Sequence, residues 1–277
     1  LRDGFKTGFL YSRRFVINRF REHMNLNILD FYIKKEHYLF NDITSPNIFF
    51  YLEGALISGE RENRLRGLLT KCDIFSYGLV LRAGINDRDY YLSLDIGYAS
   101  GDNNPFDKKD NTFRFSTEFK EGLILFSELY GFTSAASSLR SYNLLFSESP
   151  QYFSDAETHG SISNAIFASL IFAYQFSGLF RMIGNILIAG TSEPLIDPYY
   201  TYISKETRNF FDSVQTSSLL GIETDFGIER EWYRNRYFRI KSLVTYARLF
   251  PGGAFENKFN AFSGTNLLAM KIYVDNL

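Results

Sequence analysis

Along much of this chain apolar and polar residues alternate one by one. From Asp89 to Ser100, Tyr90, Leu92, Leu94, Ile96 and Tyr98 share one parity, and Tyr91, Ser93, Asp95, Gly97 and Ala99 share the other. Successive side chains of a β-strand point to opposite faces, so the segment predicts a strand with one oily face and one small, polar face. With tyrosines near both ends of the oily row, it reads as a strand crossing an outer membrane between lipid and a wet lumen. Similar runs predict strands over 5–14, 25–36, 48–58, 74–84, 113–126, 164–175, 179–189, 217–230, 237–250 and 267–274. Connectors 85–88 and 231–236 are short and polar, whereas 101–111, 127–163 and 191–216 are long. Near-alternation of the two kinds suits periplasmic turns and external loops.

The expected fold class is therefore all-β: an antiparallel up-and-down transmembrane β-barrel with about 11–12 visible strands. It forms a single domain over residues 1–277 and is expected to lack some N-terminal strands of a larger barrel. Leu1-Arg2-Asp3-Gly4 is not a leader, so a processed form or a fragment is expected. The greasiest stretch, 165–189, has Arg181 as its only charge and is long enough to cross a bilayer as a helix. Gln175-Phe176-Ser177-Gly178 interrupts it and predicts a hairpin turning at Ser177-Gly178 instead.

Sorting the strand faces yields the candidate site. In 217–230, Leu220, Ile222, Phe226 and Ile228, with Thr224, oppose Gly221, Glu223, Asp225, Gly227 and Glu229. Mid-strand acids (Asp30, Glu53, Asp95, Glu223, Asp225) and bases (Lys34, Arg82, Arg181, Arg239, Lys241) lie opposite bulky apolar residues. In a barrel these ten line the lumen and pair across strands. In a soluble sandwich they are the solvated face.

Composition adds exclusions. A net charge of −1 gives no argument for a nucleic-acid partner. A single cysteine, Cys72, allows no internal disulfide, zinc ribbon or CxxC site and reads as a buried thiol. His23, His37 and His159 lack metal-ligand spacing. Asp102, Asn104 and Asp107 offer oxygen donors suited to calcium and are weak metal candidates. Their spacing is not that of an EF-hand, and turn formation is the simpler account. Asp225 and Glu229 resemble a glycosidase pair only until Glu223 is seen on the same face, where electrostatic lining explains all three. No phosphate loop, nucleophile elbow or HExxH helix occurs, so no enzyme and no cofactor are predicted. Trp232-Tyr233, Tyr199-Tyr200 and Phe210-Phe211 fit an aromatic girdle, or for the last two pairs packing beneath a loop. Residues 134–145 predict a short helix that caps or plugs the pore.

Several stretches carry a family resemblance. They are Gly97-Tyr98-Ala99-Ser100-Gly101-Asp102-Asn103 through Pro105, Phe113-Arg114-Phe115 and Gly122-Leu123-Ile124-Leu125-Phe126. Gly221-Ile222-Glu223-Thr224-Asp225, Leu249-Phe250-Pro251-Gly252-Gly253-Ala254-Phe255, Phe31 to His37 and Tyr51 to Ala55 fit with them. Over residues 5–255 the chain resembles the bacterial outer-membrane alginate-export (AlgE-like) β-barrel family. The resemblance implies a closed barrel that passes a hydrophilic solute or polysaccharide, and the family's best-known member does so through an arginine-rich lumen. Here the inner face is mixed in sign and fewer strands are countable.

The expected function is that of an outer-membrane channel or export porin in the cell outer membrane. Its expected partners are membrane lipid, the solute or polysaccharide, and periplasmic or envelope proteins. Two other readings stay open: a structural or anchoring barrel plugged by 127–163, and a secreted all-β carbohydrate-binding protein. The placement of Leu92, Leu94 and Ile96 relative to Asp95 discriminates between a lipid-facing and a dry apolar row.

Overall fold

The computed structural model describes residues 4–17, 23–40, 45–65, 68–141, 158, 160–257 and 264–276. Its strands are β1 (Gly4–Ile17), β2 (His23–Tyr38), β3 (Asn47–Leu65), β4 (Leu68–Asn86), β5 (Tyr90–Ala99), β6 (Lys109–Asp110), β7 (Ala165–Ser177), β8 (Phe180–Gly190), β9 (Leu219–Arg234), β10 (Phe238–Pro251) and β11 (Thr265–Asn276). A π-helical stretch, Leu125–Tyr130, runs directly into α1 (Gly131–Ser141), and α2 is Pro198–Ser204. The ten long strands form one sheet in the order β1-β2-β3-β4-β5-β7-β8-β9-β10-β11, with β6 beside β4. Every long pairing is antiparallel. The sheet is open, with β1 and β11 as its edges among the described residues.

The two-residue rhythm governs the burial of β5. Leu92, Leu94 and Ile96 are 43%, 44% and 41% exposed, whereas Ser93 and Asp95 are 1% and 0% exposed. Leu92, Leu94 and Ile96 thus point outward and Asp95 inward. The predicted hairpin is present as β7–β8, with Ser177 opposite Phe180. No described helix is long and apolar enough to cross a membrane.

Two strand expectations need correction. Residues 113–126 are not a strand. The polar run Ser116-Thr117-Glu118 breaks the alternation, and Gly122 takes φ +72°, which turns the backbone out of any ladder. The strand count still reaches eleven because β6 replaces it. Leu220, expected on the oily outer face, is fully buried. Ala189 pairs with Gly221 and Gly190 with Leu219, so Leu220 is the extra residue of a bulge and turns into the core.

That core does not lie between two sheets. It forms where the segment after β5 folds back over the inner face. Ile124, Leu125, Phe126 and Tyr130 from that segment join Phe167, Leu187, Leu220 and Leu249 from four strands, with Val80 of β4 and Leu267 of β11 packed against the cluster. Laid flat, β4 to β11 would span about 29 Å at about 4.8 Å per strand step. One cluster joins β4, β7, β8, β9, β10 and β11 because the sheet curls around the insertion.

Glycines let rings sit against the sheet. Gly8–Tyr32, Gly54–Phe31, Gly97–Phe167 and Gly184–Phe172 are direct cross-strand partners. A Cβ on any of these glycines would fall within 2.6 Å of the partner ring. Each ring therefore covers the bare backbone of the neighbouring strand, a device that pins register.

Candidate functional site: the filled inner face

All ten residues singled out from the sequence stand on the inner face, but they do not share one environment. Arg82 and Asp95 are directly opposite on β4 and β5. Nε of Arg82 donates to Asp95 Oδ2 at 2.7 Å, and Nη2 donates to the same oxygen. Lys34 pairs with Glu36 at 3.0 Å, and the Tyr51 hydroxyl donates to Glu36 at 2.7 Å. Lys241 pairs with Glu229 at 2.7 Å and Arg239 with Asp275 at 2.7 Å. Glu229 also accepts from the Tyr273 hydroxyl. Asp225 accepts from the Asn185 side-chain amide at 3.2 Å, and Asn185 in turn accepts from Ser169 at 2.6 Å. Arg181 is half-buried opposite Glu229. Asp30 is half-buried and Glu53 exposed.

Glu223 has a different role. Fully buried on β9, its carboxylate accepts the backbone N–H groups of Leu123 (2.5 Å), Ile124 (2.7 Å) and Leu125 (2.7 Å). Three donors converge because Gly122 adopts φ +72° just before them. A Cβ at Gly122 would lie 2.8 Å from Glu223 Oε2. The insertion thus meets the sheet through a backbone nest filled by a side chain of the sheet.

Other contacts fix the rest of the insertion. Glu121 approaches Arg82 at 3.7 Å and is 1% exposed. Burial, then the neighbouring Asp95 carboxylate, pushes the Glu121 carboxyl up to about 7. Arg140 of α1 pairs with Asp197 at 2.5 Å and donates to the Phe210 carbonyl at 3.1 Å, tying α1 to α2. Asp197 also caps α2 through the N–H of Tyr200 at 3.0 Å. Lys120 donates to the Gly160 carbonyl at 2.8 Å. Of the predicted helix, 134–141 lies in α1, and 142–145 falls outside the described residues.

Filling is uneven along the strands. Phe167, Leu187, Leu220 and Leu249, near the long connectors, carry the core. Toward the short turns the inner face opens into a polar vestibule of about 840 Å³, lined by Arg88, Arg181, Glu229, Arg239 and Lys241 among others. A second cavity of about 320 Å³ lies between β3–β4 and the rings of Phe113, Phe115 and Phe119.

The acidic loop after β5 spends its side chains on its own backbone. Asp102 accepts from the N–H groups of Asn104 (2.8 Å) and Asn111 (3.1 Å), Asn104 from Phe106 (3.1 Å), and Asp107 from Lys109 (2.8 Å). The three bonds that span two residues are Asx turns, and the described residues contain no metal-binding cluster of His, Cys, Asp and Glu. Burial raises the Asp102 carboxyl to about 6 against these donors. His23 and His37 are exposed, and His159 lies outside the described residues. Tyr199 and Tyr200 lie in α2, and Phe210 and Phe211 pack in the loop that follows it. Arg140 sits over the Tyr200 ring at 4.8 Å, and Phe210 stands 6.1 Å from Tyr130.

Sequence reasoning missed Glu121, Asp275 and the Ser169–Asn185 link. Asn185 shares parity with Arg181 on the same strand and was findable on that ground, whereas Asp275 lies one residue beyond the predicted 267–274 strand. Glu121 was not findable, because its segment reads as a strand. No protein-family model matches this chain, and no curated protein matches it.

Proposed function

We propose that this chain is an outer-membrane β-barrel protein whose lumen is closed toward the long connectors by residues 101–141 of its own insertion. The observation that carries this reading is the nest on Glu223: a segment tied to mid-strand and wrapped in a dry core obstructs the inner face. The reading adopts the plugged barrel over the freely open porin, and it includes no catalytic step.

The outer face supports a lipid neighbour. Cross-strand rows such as Ile96–Ala168–Ile188–Ile222–Phe250 and Leu92–Phe172–Gly184–Phe226–Tyr246–Leu268 run across five or more strands. Most of their large members are 38–48% exposed, and Leu268 on the edge strand is 75% exposed. Water-soluble monomers rarely show a continuous apolar surface of this extent. Toward the short turns Tyr90, Tyr174, Phe176, Trp232 and Tyr237 are exposed, as a headgroup belt requires. Arg248 and Asn266 interrupt the apolar rows toward the long connectors, at a level suited to the opposite headgroups.

Lipid does not tolerate free strand edges. The reading therefore requires β1 and β11 to be paired in the membrane, with each other or through an even number of further strands. The ten long strands alternate in direction, which leaves the two edges antiparallel.

Planar-bilayer conductance tests the proposal. The intact protein should give little steady current, and replacing residues 113–141 with a short Gly-Ser linker should open a conducting path. A steady, large conductance in the intact protein would contradict it. The mixed-sign vestibule favours a second reading, an open channel of weak ion selectivity, and that outcome would support it.

A further inference from the structure

We infer that residues 122–125 form a carboxylate-binding nest and that Glu223 is its built-in, replaceable ligand, so that this one side chain latches the insertion onto the sheet. The inference deepens the plug reading and rests on it.

Two independent features point this way. The first is geometry. Both oxygens of one buried carboxylate are used, Oε1 by Leu123 and Ile124 and Oε2 by Leu125. Consecutive N–H groups aimed at one point make an anion site whatever residue supplies the anion. The donors head a helical run that continues from Leu125 to Ser141, so the helix dipole adds to their pull.

The second feature is the choice of residues. Gly122 occupies a backbone conformation that other residues rarely adopt, and a side chain there would strike Glu223 Oε2 and Leu187. On the sheet side, Glu223 lies directly opposite Leu187 on β8 and Leu249 on β10, both fully buried. No described cation contacts this carboxylate within ion-pair distance, so the nest supplies its charge compensation through hydrogen bonds. A carboxylate in a dry setting needs such donors. Removing it leaves three N–H groups of the insertion unsatisfied and leaves the strand pairing of β9 untouched, since that pairing uses main-chain atoms. The latch and the sheet are therefore separable.

The test uses the full chain in detergent with Cys72→Ser and a reporter thiol, Ser137→Cys. Ser137 is fully buried in α1 and its hydroxyl has no hydrogen-bond partner, so a thiol replaces it at little cost. Maleimide labelling should be slow with Glu223 present. In Glu223→Ala it should accelerate by roughly 10-fold or more, the scale set by losing charge-assisted hydrogen bonds. The β-sheet circular dichroism should be unchanged. Added acetate should slow labelling of Glu223→Ala in a saturable way and leave the Glu223 protein unaffected.

Labelling at one rate with and without Glu223 would overturn the latch, and fast labelling indifferent to acetate would overturn the nest. If Glu223→Ala fails to fold, Gly122→Ala, which keeps the carboxylate but blocks its approach, decides the question: it should also speed labelling. Unchanged labelling there contradicts the inference. Rapid labelling of the Glu223 protein itself would count against the plug reading, so the two failures are distinguishable.

Discussion

Arg82 and Asp95 face each other across β4 and β5, and both the Nε and Nη2 groups of Arg82 donate to Oδ2 of Asp95, whose side chain is fully buried. The pair gathers Glu121 of the insertion 3.7 Å away. Truncating one member of a buried ion pair typically costs about 3–5 kcal/mol, because the other charge is left without a partner. Arg82→Met should destabilise the folded protein by that order, and Arg82→Lys by less, since a point charge replaces a planar fork. Urea titration in detergent, followed by β-sheet circular dichroism, checks both. Equal stability of Arg82→Met and the parent would show that Asp95 reaches water.

The glycine–aromatic pairs make a second prediction. A Cβ at Gly97 would lie 2.1 Å from Phe167 Cζ. Overpacking of this kind costs about 1–3 kcal/mol. Gly97→Val should lower stability by that amount, and adding Phe167→Leu should restore part of it by freeing the space. A thermal-melt double-mutant cycle measures the coupling; additive losses would mean that the ring does not lie over the glycine.

Protonation should strengthen docking of the insertion. The Glu121 carboxyl is held at about 7, above its ordinary 4.5, by burial and by the Asp95 charge. Below about 4.5 the group is protonated whether docked or free. As pH rises from there toward 7, the undocked form sheds the proton first, so docking weakens across that window. Asp102, raised by burial to about 6, acts in the same sense on its own loop. The labelling rate of Ser137→Cys, divided at each pH by that of a small free thiol so that thiolate ionisation cancels, should accordingly rise between about pH 4.5 and 7. Glu121→Gln should remove most of that rise, leaving a smaller one from Asp102. A profile with the same slope in Glu121→Gln would assign the dependence elsewhere.

How much of this was legible follows from what period two can encode. It placed Asp95 inside and Leu94 outside, set the β7–β8 hairpin at Ser177-Gly178, and put all ten charged candidates on one face, because strand parity is a local property. It did not reveal which acid pairs with which base, since register arises from long-range pairing. It misread 113–126, where Phe113 and Phe115 alternate like strand residues but pack edge to face in the insertion. Leu220 was misplaced because a bulge shifts parity by one. Glu223 looked like its neighbour Asp225, and only the fold brings it against Leu125, 98 positions earlier in the chain.

Spin labels placed one at a time from Tyr90 to Tyr98, in lipid vesicles and a Cys72→Ser background, test the central claim most directly. Collision rates with oxygen should alternate with a period of two, high at positions 92, 94 and 96. The label at 93 should be shielded from both oxygen and a water-soluble nickel chelate; positions 95 and 97 are left unlabelled, because a label there breaks the Arg82 pair or strikes the Phe167 ring. Fast nickel collisions at 92, 94 and 96 would place that face in water, and the membrane-spanning sheet with a filled interior would have to be given up.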